Sequence, residues 1–297
     1  MPSWNEVANR MQSAGDAVRV QYVKELAEYT GRNVFTYYSA WMYRNPSTPN
    51  LNIGDDDLNA FMQAVHSVDR SKGLDLVLHT PGGSVAAAEQ IVTYLRDMFD
   101  GDVRAIVPQG AYSAGTLICC AAHEILMGKE SSLGPIDPLL NGMPAQSVVD
   151  EFDRAIKDVE ENPHSLPIWQ TIIGKYHPSF LEECRHALEL SRTMASTWLR
   201  TGVFRKMGDE TAAQRAEAAA TALADHVRWK THGRHLSVKV IQEDVGIPVT
   251  LLEEDEELQD RVLSLHHAYT CSITNNPAIL KIVENQEGSR MVTAAKG

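Results

Sequence analysis

The chain of 297 residues is 43% hydrophobic, enough to bury a core without disulfides or metals as staples. Its 27 Lys and Arg against 39 Asp and Glu leave a net charge of −12, which repels phosphate backbones and anionic headgroups and argues against a nucleic-acid partner. Cys119, Cys120, Cys184 and Cys271 form no CxxC pair, so the pattern suggests neither a zinc site nor a disulfide framework and suits a reducing compartment.

The first residues, Met1-Pro-Ser-Trp-Asn-Glu, lack the basic, apolar and small-residue order of a secretory signal. No stretch approaches the roughly 18 consecutive apolar residues of a spanning helix, and a cytoplasmic location is expected. Ser3 and Glu6 have the spacing of a capping box, and apolar positions from Val7 to Tyr29 continue a helical pattern as far as Gly31. Asn33 to Trp41 is rich in β-branched and aromatic residues and reads as a strand; Asp55 to Val68 reads as a helix with carboxylates in its first turn. Leu74–Leu78 is short and apolar enough for a strand buried on both faces.

From there strand, turn and helix repeat. Thr80-Pro-Gly-Gly-Ser84 leads into a helix ending near Met98. Strand Val103–Val107 is followed by Gln109-Gly-Ala-Tyr-Ser113 and a short helix through Ala122; strand Glu124–Met127 is followed by Ser131-Ser-Leu-Gly-Pro-Ile-Asp-Pro138. Such units predict an α/β fold whose parallel sheet gathers three loops at the strands' C-terminal ends. Beyond Gly142 helices are expected at Ala145–Glu161, Pro178–Thr201 and Asp209–Asp225, then a helical Ser237–Gly246 and a β-like Ile247–Leu252. The acidic run Glu253–Glu257 reads as a solvated face or helix start, and residues from about Gln286 as a frayed tail.

Ser113 sits between a buried strand and a helix, where a tight turn can present its hydroxyl to a substrate; the same position also suits a helix N-cap. One unit earlier, Gly82 and Gly83 can take positive φ and turn amide hydrogens into a cleft. With the N–H of Ala114 they would form an oxyanion hole, though a Pro-Gly-Gly is also an ordinary turn.

Leu78-His-Thr-Pro-Gly-Gly-Ser-Val, Tyr112-Ser-Ala-Gly-Thr and Ser131-Ser-Leu-Gly-Pro-Ile-Asp-Pro together resemble the signature of the serine dehydrogenase proteinase family, relatives of Clp protease and signal peptide peptidase A. The similarity is densest from about Leu74 to Leu140, with weaker echoes at Thr30-Gly-Arg-Asn-Val and Thr231-His-Gly-Arg. It implies a crotonase/Clp-protease-like fold of stacked ββα units with a mostly parallel twisted sheet and added helices. It also implies a serine peptidase with Ser113 as nucleophile, Asp137 as orienting carboxylate and His232 as base, acting on a peptide or protein substrate without cofactor or metal. A homo-oligomer is expected on the same ground. The implied organisation is a leading helix (1–32), a catalytic α/β core (33–142), a helical assembly or lid region (143–228), and a closing part with the histidine and a helical tail (229–297).

Four alternatives remain open. The histidine position of Clp protease is occupied by Pro135-Ile136-Asp137-Pro138, and a lysine base in the manner of signal peptide peptidase A would fall on Lys129 or Lys157, which burial would have to keep neutral. An esterase of the α/β-hydrolase type is disfavoured because Ala111 replaces the first glycine of GxSxG and too few βα units separate Ser113 from Asp137; thioester chemistry remains a possible substrate class. A metal-dependent hydrolase would rest on His232 and His235 alone, with no HExxH, and the chain has no Gly-x-Gly-x-x-Gly fingerprint of a dinucleotide enzyme. A non-catalytic peptide-binding scaffold would keep the fold and lose the chemistry.

Overall fold

The structure, a computed structural model, describes Val7 and residues 16–295. Its elements begin with α1 (Asp16–Thr30), β1 (Asn33–Ser39), α2 (Asp57–His66), β2 (Leu74–His79), α3 (Val85–Met98) and β3 (Val103–Val107). They continue through β4 (Gly110–Ala111), α4 (Ala114–Cys120), β5 (Glu124–Met127) and β6 (Ser132–Leu133). The leading helix is thus present from Asp16, while the capping-box residues Ser3 and Glu6 lie outside the described residues.

The strands alternate their side chains between two cores, as a period of two requires. Phe35, Tyr37, Leu74, Leu76, Leu78, Val103, Ala105 and Val107 face one core with α2, α3 and α4. Val34, Tyr38, Val77 and Ile106 face the other, under α1. Neither face meets water, which explains why Leu74–Leu78 carries almost no polar residue.

The second half contributes a hairpin, β7 (Leu139–Leu140) and β8 (Met143–Pro144), then α5 (Ala145–Glu161), α6 (Leu166–Ile173), α7 (Phe180–Thr201), α8 (Asp209–Ala224) and the short α9 (His226–Trp229). β9 (Leu236–Ser237), a helical turn over residues 238–245, β10 (Thr250–Leu251), α10 (Glu256–Asn275), β11 (Ile279–Asn285) and β12 (Arg290–Ala294) complete the chain. Helix α6 was not expected: it is apolar yet none of its residues is buried, so it lacks the two-sided pattern that marks a helix.

The C-terminal expectation needs correction. Instead of a helical tail fraying from Gln286, α10 is followed by two strands of the main sheet, whose order is β10-β5-β3-β2-β1-β11-β12. From β10 to β1 the pairing is parallel; β11 and β12 join antiparallel. Lys281 and Glu284 break the apolar run of β11 in the sequence, but both are buried because each has an opposite charge, Asp57 and Arg19 respectively.

A second, smaller sheet of order β4-β6-β9 positions the site. β4 and β6 run parallel and β9 runs antiparallel to β6. A bridge from Thr80 to Ala111 extends β2 alongside β4. The residues following β2, β4 and β6 and those preceding β9 therefore emerge at the same end: the glycine turn, Ser113, the Asp137 loop and the His232 segment.

Candidate active site

Ser113 occupies the N-cap of α4 with φ 53° and ψ −116°, and its side chain makes no capping hydrogen bond. A non-glycine residue held at positive φ costs roughly 1–3 kcal/mol, and here it makes a sharp strand-to-helix turn. The ordinary capping role is therefore not the one this hydroxyl plays. Thr116 braces the turn from behind: its Oγ1 lies 2.9 Å from the carbonyl of Ala111 and 3.0 Å from that of Gly134, sharing its one proton between them, and accepts from the N–H of Gly134.

The glycine turn packs directly on this elbow. A Cβ on Gly82, at φ 96°, would lie 2.5 Å from Tyr112 O, 2.8 Å from Ser113 Cβ and 3.0 Å from Ala114 N, so no larger residue fits. Gly82 N–H donates to Thr80 Oγ1 at 3.2 Å and Gly82 O accepts from Ile53 N–H at 2.8 Å. Gly83, at φ 153°, lies against Ile53, where a Cβ would come within 2.4 Å of backbone atoms. Among the described residues, the N–H groups of Gly83 and Ala114 donate no hydrogen bond, whereas that of Gly82 is already engaged.

Asp137 is fully buried. Its loop is pinned by Ser191 Oγ donating to Ile136 O at 2.7 Å and by Ile136 N–H donating to Leu223 O at 3.1 Å. The carboxylate meets two imidazoles: His232 Nδ1 lies 2.9 Å from Oδ1 and His226 Nδ1 lies 2.8 Å from Oδ2. A buried carboxylate accepts but cannot donate, so both rings carry their proton on Nδ1 and keep Nε2 for another partner. Asp137 and His232 are thus brought together. Ser113 Oγ makes no hydrogen bond to a described residue, so its link to an imidazole is not formed in this arrangement.

Sequence reasoning missed His226. The signal available was Asp225, whose side chain accepts from Arg228 N–H and caps α9, placing a histidine at the first turn of a helix beside the Asp137 loop. His235 does not join the pair; its ring stacks on Tyr112 at 4.6 Å. Lys129 and Lys157 are both exposed, so the burial that a lysine base requires is missing at each. No group of three His, Cys, Asp or Glu among the described residues is arranged to hold a metal, and the four cysteines are free and buried.

Beneath the glycine turn, His79 ends β2 in an aromatic box, 4.2 Å from Trp41, 5.3 Å from Tyr38 and 5.1 Å from His266. Neither ring nitrogen makes a full hydrogen bond among the described residues, the Gly110 carbonyl being the nearest backbone acceptor. Burial, then the proximity of His266, holds His79 well below the usual imidazole range, and burial, then His267, pulls His266 down to about 3. Unfolded, both titrate near 6.5. Below that value the unfolded chain binds more protons than the folded one, so stability falls as pH drops from about 6.5 toward about 3. Denaturant midpoints measured from pH 7 down to pH 4 should decrease steadily, and His266→Phe should flatten that slope.

Fold and site together define a mixed α/β protein with a strained serine elbow facing a glycine turn and a buried Asp–His pair. Residues 46–168 match the family described as ClpP-like SDH-type serine proteinase, in the segment where the motifs are densest. That segment holds Gly82, Gly83, Ser113, Ala114 and Asp137; both histidines lie beyond it. Uncharacterized protein MJ0137 of Methanocaldococcus jannaschii is 43% identical over 94 residues, 32% of this chain and 32% of that protein. Uncharacterized protein MJ1495 of the same organism is 34% identical over 106 residues, 36% of each. The similarity spans about a third of these curated relatives. No helix among the described residues is long and apolar enough to cross a membrane.

Proposed function

We propose that the chain is a serine peptidase acting through an acyl-enzyme on Ser113. The observation that carries this is topological: one small sheet delivers the strained Ser113 elbow and the buried Asp137–His232 hydrogen bond to the same end. His232 Nε2 takes the Ser113 proton as Oγ bonds to the substrate carbonyl carbon, and Asp137 holds the resulting imidazolium. The N–H groups of Gly83 and Ala114, both without acceptors among the described residues, receive the developing oxyanion, while Gly82 keeps the turn pressed against the elbow. His232 then returns the proton to the leaving amine as the C–N bond breaks. Water, deprotonated by the same ring, attacks the acyl carbon; the Oγ–C bond then breaks, Ser113 Oγ takes the proton back from His232, and the acid is released.

The substrate class is a peptide or protein, by the family relation, and the enzyme works as a homo-oligomer in the cytoplasm, where its four free cysteines stay reduced. Residues 33–142 and 229–297 form the catalytic unit after the leading helix (1–32). Residues 143–228, with the exposed apolar α6, serve assembly or act as a lid. A fluorophosphonate probe should label the wild-type protein at Ser113, found by mass spectrometry of the modified peptide. Asp137→Asn should slow turnover about 10⁴-fold by leaving His232 in the wrong tautomer. An unlabelled protein, or an Asp137→Asn variant of normal rate, would sink the assignment.

A further inference from the structure

We infer that the buried ion pair between Lys281 and Asp57, remote in sequence from the elbow, positions the glycine turn whose N–H faces the reacting carbonyl; this rests on the serine-peptidase reading. Lys281 on β11 and Asp57 in the first turn of α2 are 5% and 4% exposed, with Nζ 2.6 Å from Oδ1. Their remaining hydrogen bonds converge on one short segment. Lys281 Nζ donates to Asn52 O at 3.1 Å, and Asp57 Oδ2 accepts from Gly54 N–H at 2.9 Å. Tyr37 OH donates to the same oxygen at 2.9 Å and fixes the carboxylate from the sheet.

Between these two anchored residues, Ile53 turns its backbone the other way. Its N–H donates to Gly82 O at 2.8 Å, and its carbonyl accepts from Ser84 N–H at 2.9 Å. This is the parallel bridge recorded between Ile53 and Gly83. In such a bridge the paired residue's own N–H and C=O point away from the strand that holds it. Residues 52–54 therefore form a strap, gripped on one side by the ion pair and holding the glycine turn on the other. Gly83 N–H is left on the far side, free of any acceptor among the described residues.

Stability alone is a weak reason for this pair, because burying two charges costs about as much as their attraction returns. Its distinctive property is directional: it holds a carbonyl and an N–H on either side of one residue, fixing the strap's position along its length. The strap and the turn lie so close that a Cβ on Gly83 would come within 2.4 Å of Ile53 backbone atoms, so a shift of one is transmitted to the other. Lys281 and Asp57 are thus positioning residues, acting on the oxyanion through Ile53 and Gly83.

The test compares two buried pairs by kcat and KM on a chromogenic ester and by the rate of fluorophosphonate labelling. Lys281→Met strands the Asp57 charge and is expected to weaken folding. Asp57→Asn/Lys281→Met removes both charges, keeps an acceptor for Gly54 and Tyr37, and retains a folded chain by thermal unfolding. Both folded variants should lose about 10- to 100-fold in kcat and labelling rate with KM nearly unchanged, the signature of a displaced transition-state donor. Glu284→Gln, which breaks the equally buried pair with Arg19 on the same strand, should leave both rates at the wild-type value. A labelled wild type beside an equally fast double variant, or an equal loss in Glu284→Gln, would overturn the positioning role alone. An unlabelled wild type would overturn the peptidase reading and this role with it.

Discussion

Ser113→Ala is expected to abolish fluorophosphonate labelling and to lower kcat by on the order of 10⁶-fold, the loss seen when a triad nucleophile is removed. The strain at this position resides in the backbone, at φ 53°, and alanine bears the same Cβ, so the elbow and the fold should be unchanged in denaturant unfolding. Turnover left above the uncatalysed rate, about 10³- to 10⁴-fold, would measure what the oxyanion donors contribute without a nucleophile. Adding His232→Ala to Ser113→Ala should cost nothing more, because the two groups act as a unit. A Ser113→Ala protein with substantial activity would remove the serine from the chemistry altogether.

His232→Ala and His226→Ala are expected to differ sharply although both rings bond the same carboxylate. Losing His232 should cost on the order of 10⁶-fold, as for any base that must take the serine proton. Losing His226 should cost up to about 10²-fold, the scale of a small misplacement, because Asp137 keeps its bond to His232 while its other oxygen loses its partner. That oxygen is buried, so His226→Ala should also weaken folding by about 1–3 kcal/mol. The two rings lie on either side of one aspartate, and kinetics decide between them: a severe His226→Ala beside a mild His232→Ala would transfer the base to His226.

The core was legible where it is buried on both faces. Leu74–Leu78, Val103–Val107 and Glu124–Met127 are strands in the structure because short apolar runs between turns leave little else to form. The C-terminal strands were not legible. Lys281 and Glu284 look like solvent-facing residues in a linear pattern, and only the distant Asp57 and Arg19 make their burial tolerable. Helix α6 escaped for the opposite reason, being apolar without a buried face.

At the site, local chemistry marked Ser113, the glycine pair and the Asp137 loop, since each depends on turn residues adjacent in the chain. The sequence by itself determined the alternating α/β units, the sharp turn at Ser113 and the absence of side chains at Gly82 and Gly83. Only the tertiary structure decided which histidines reach Asp137 and which glycine amide is left without an acceptor. It also revealed the Lys281–Asp57 grip on the turn. Those features join residues far apart along the chain, and no local spacing encodes a contact that exists only once β9 and β11 have docked.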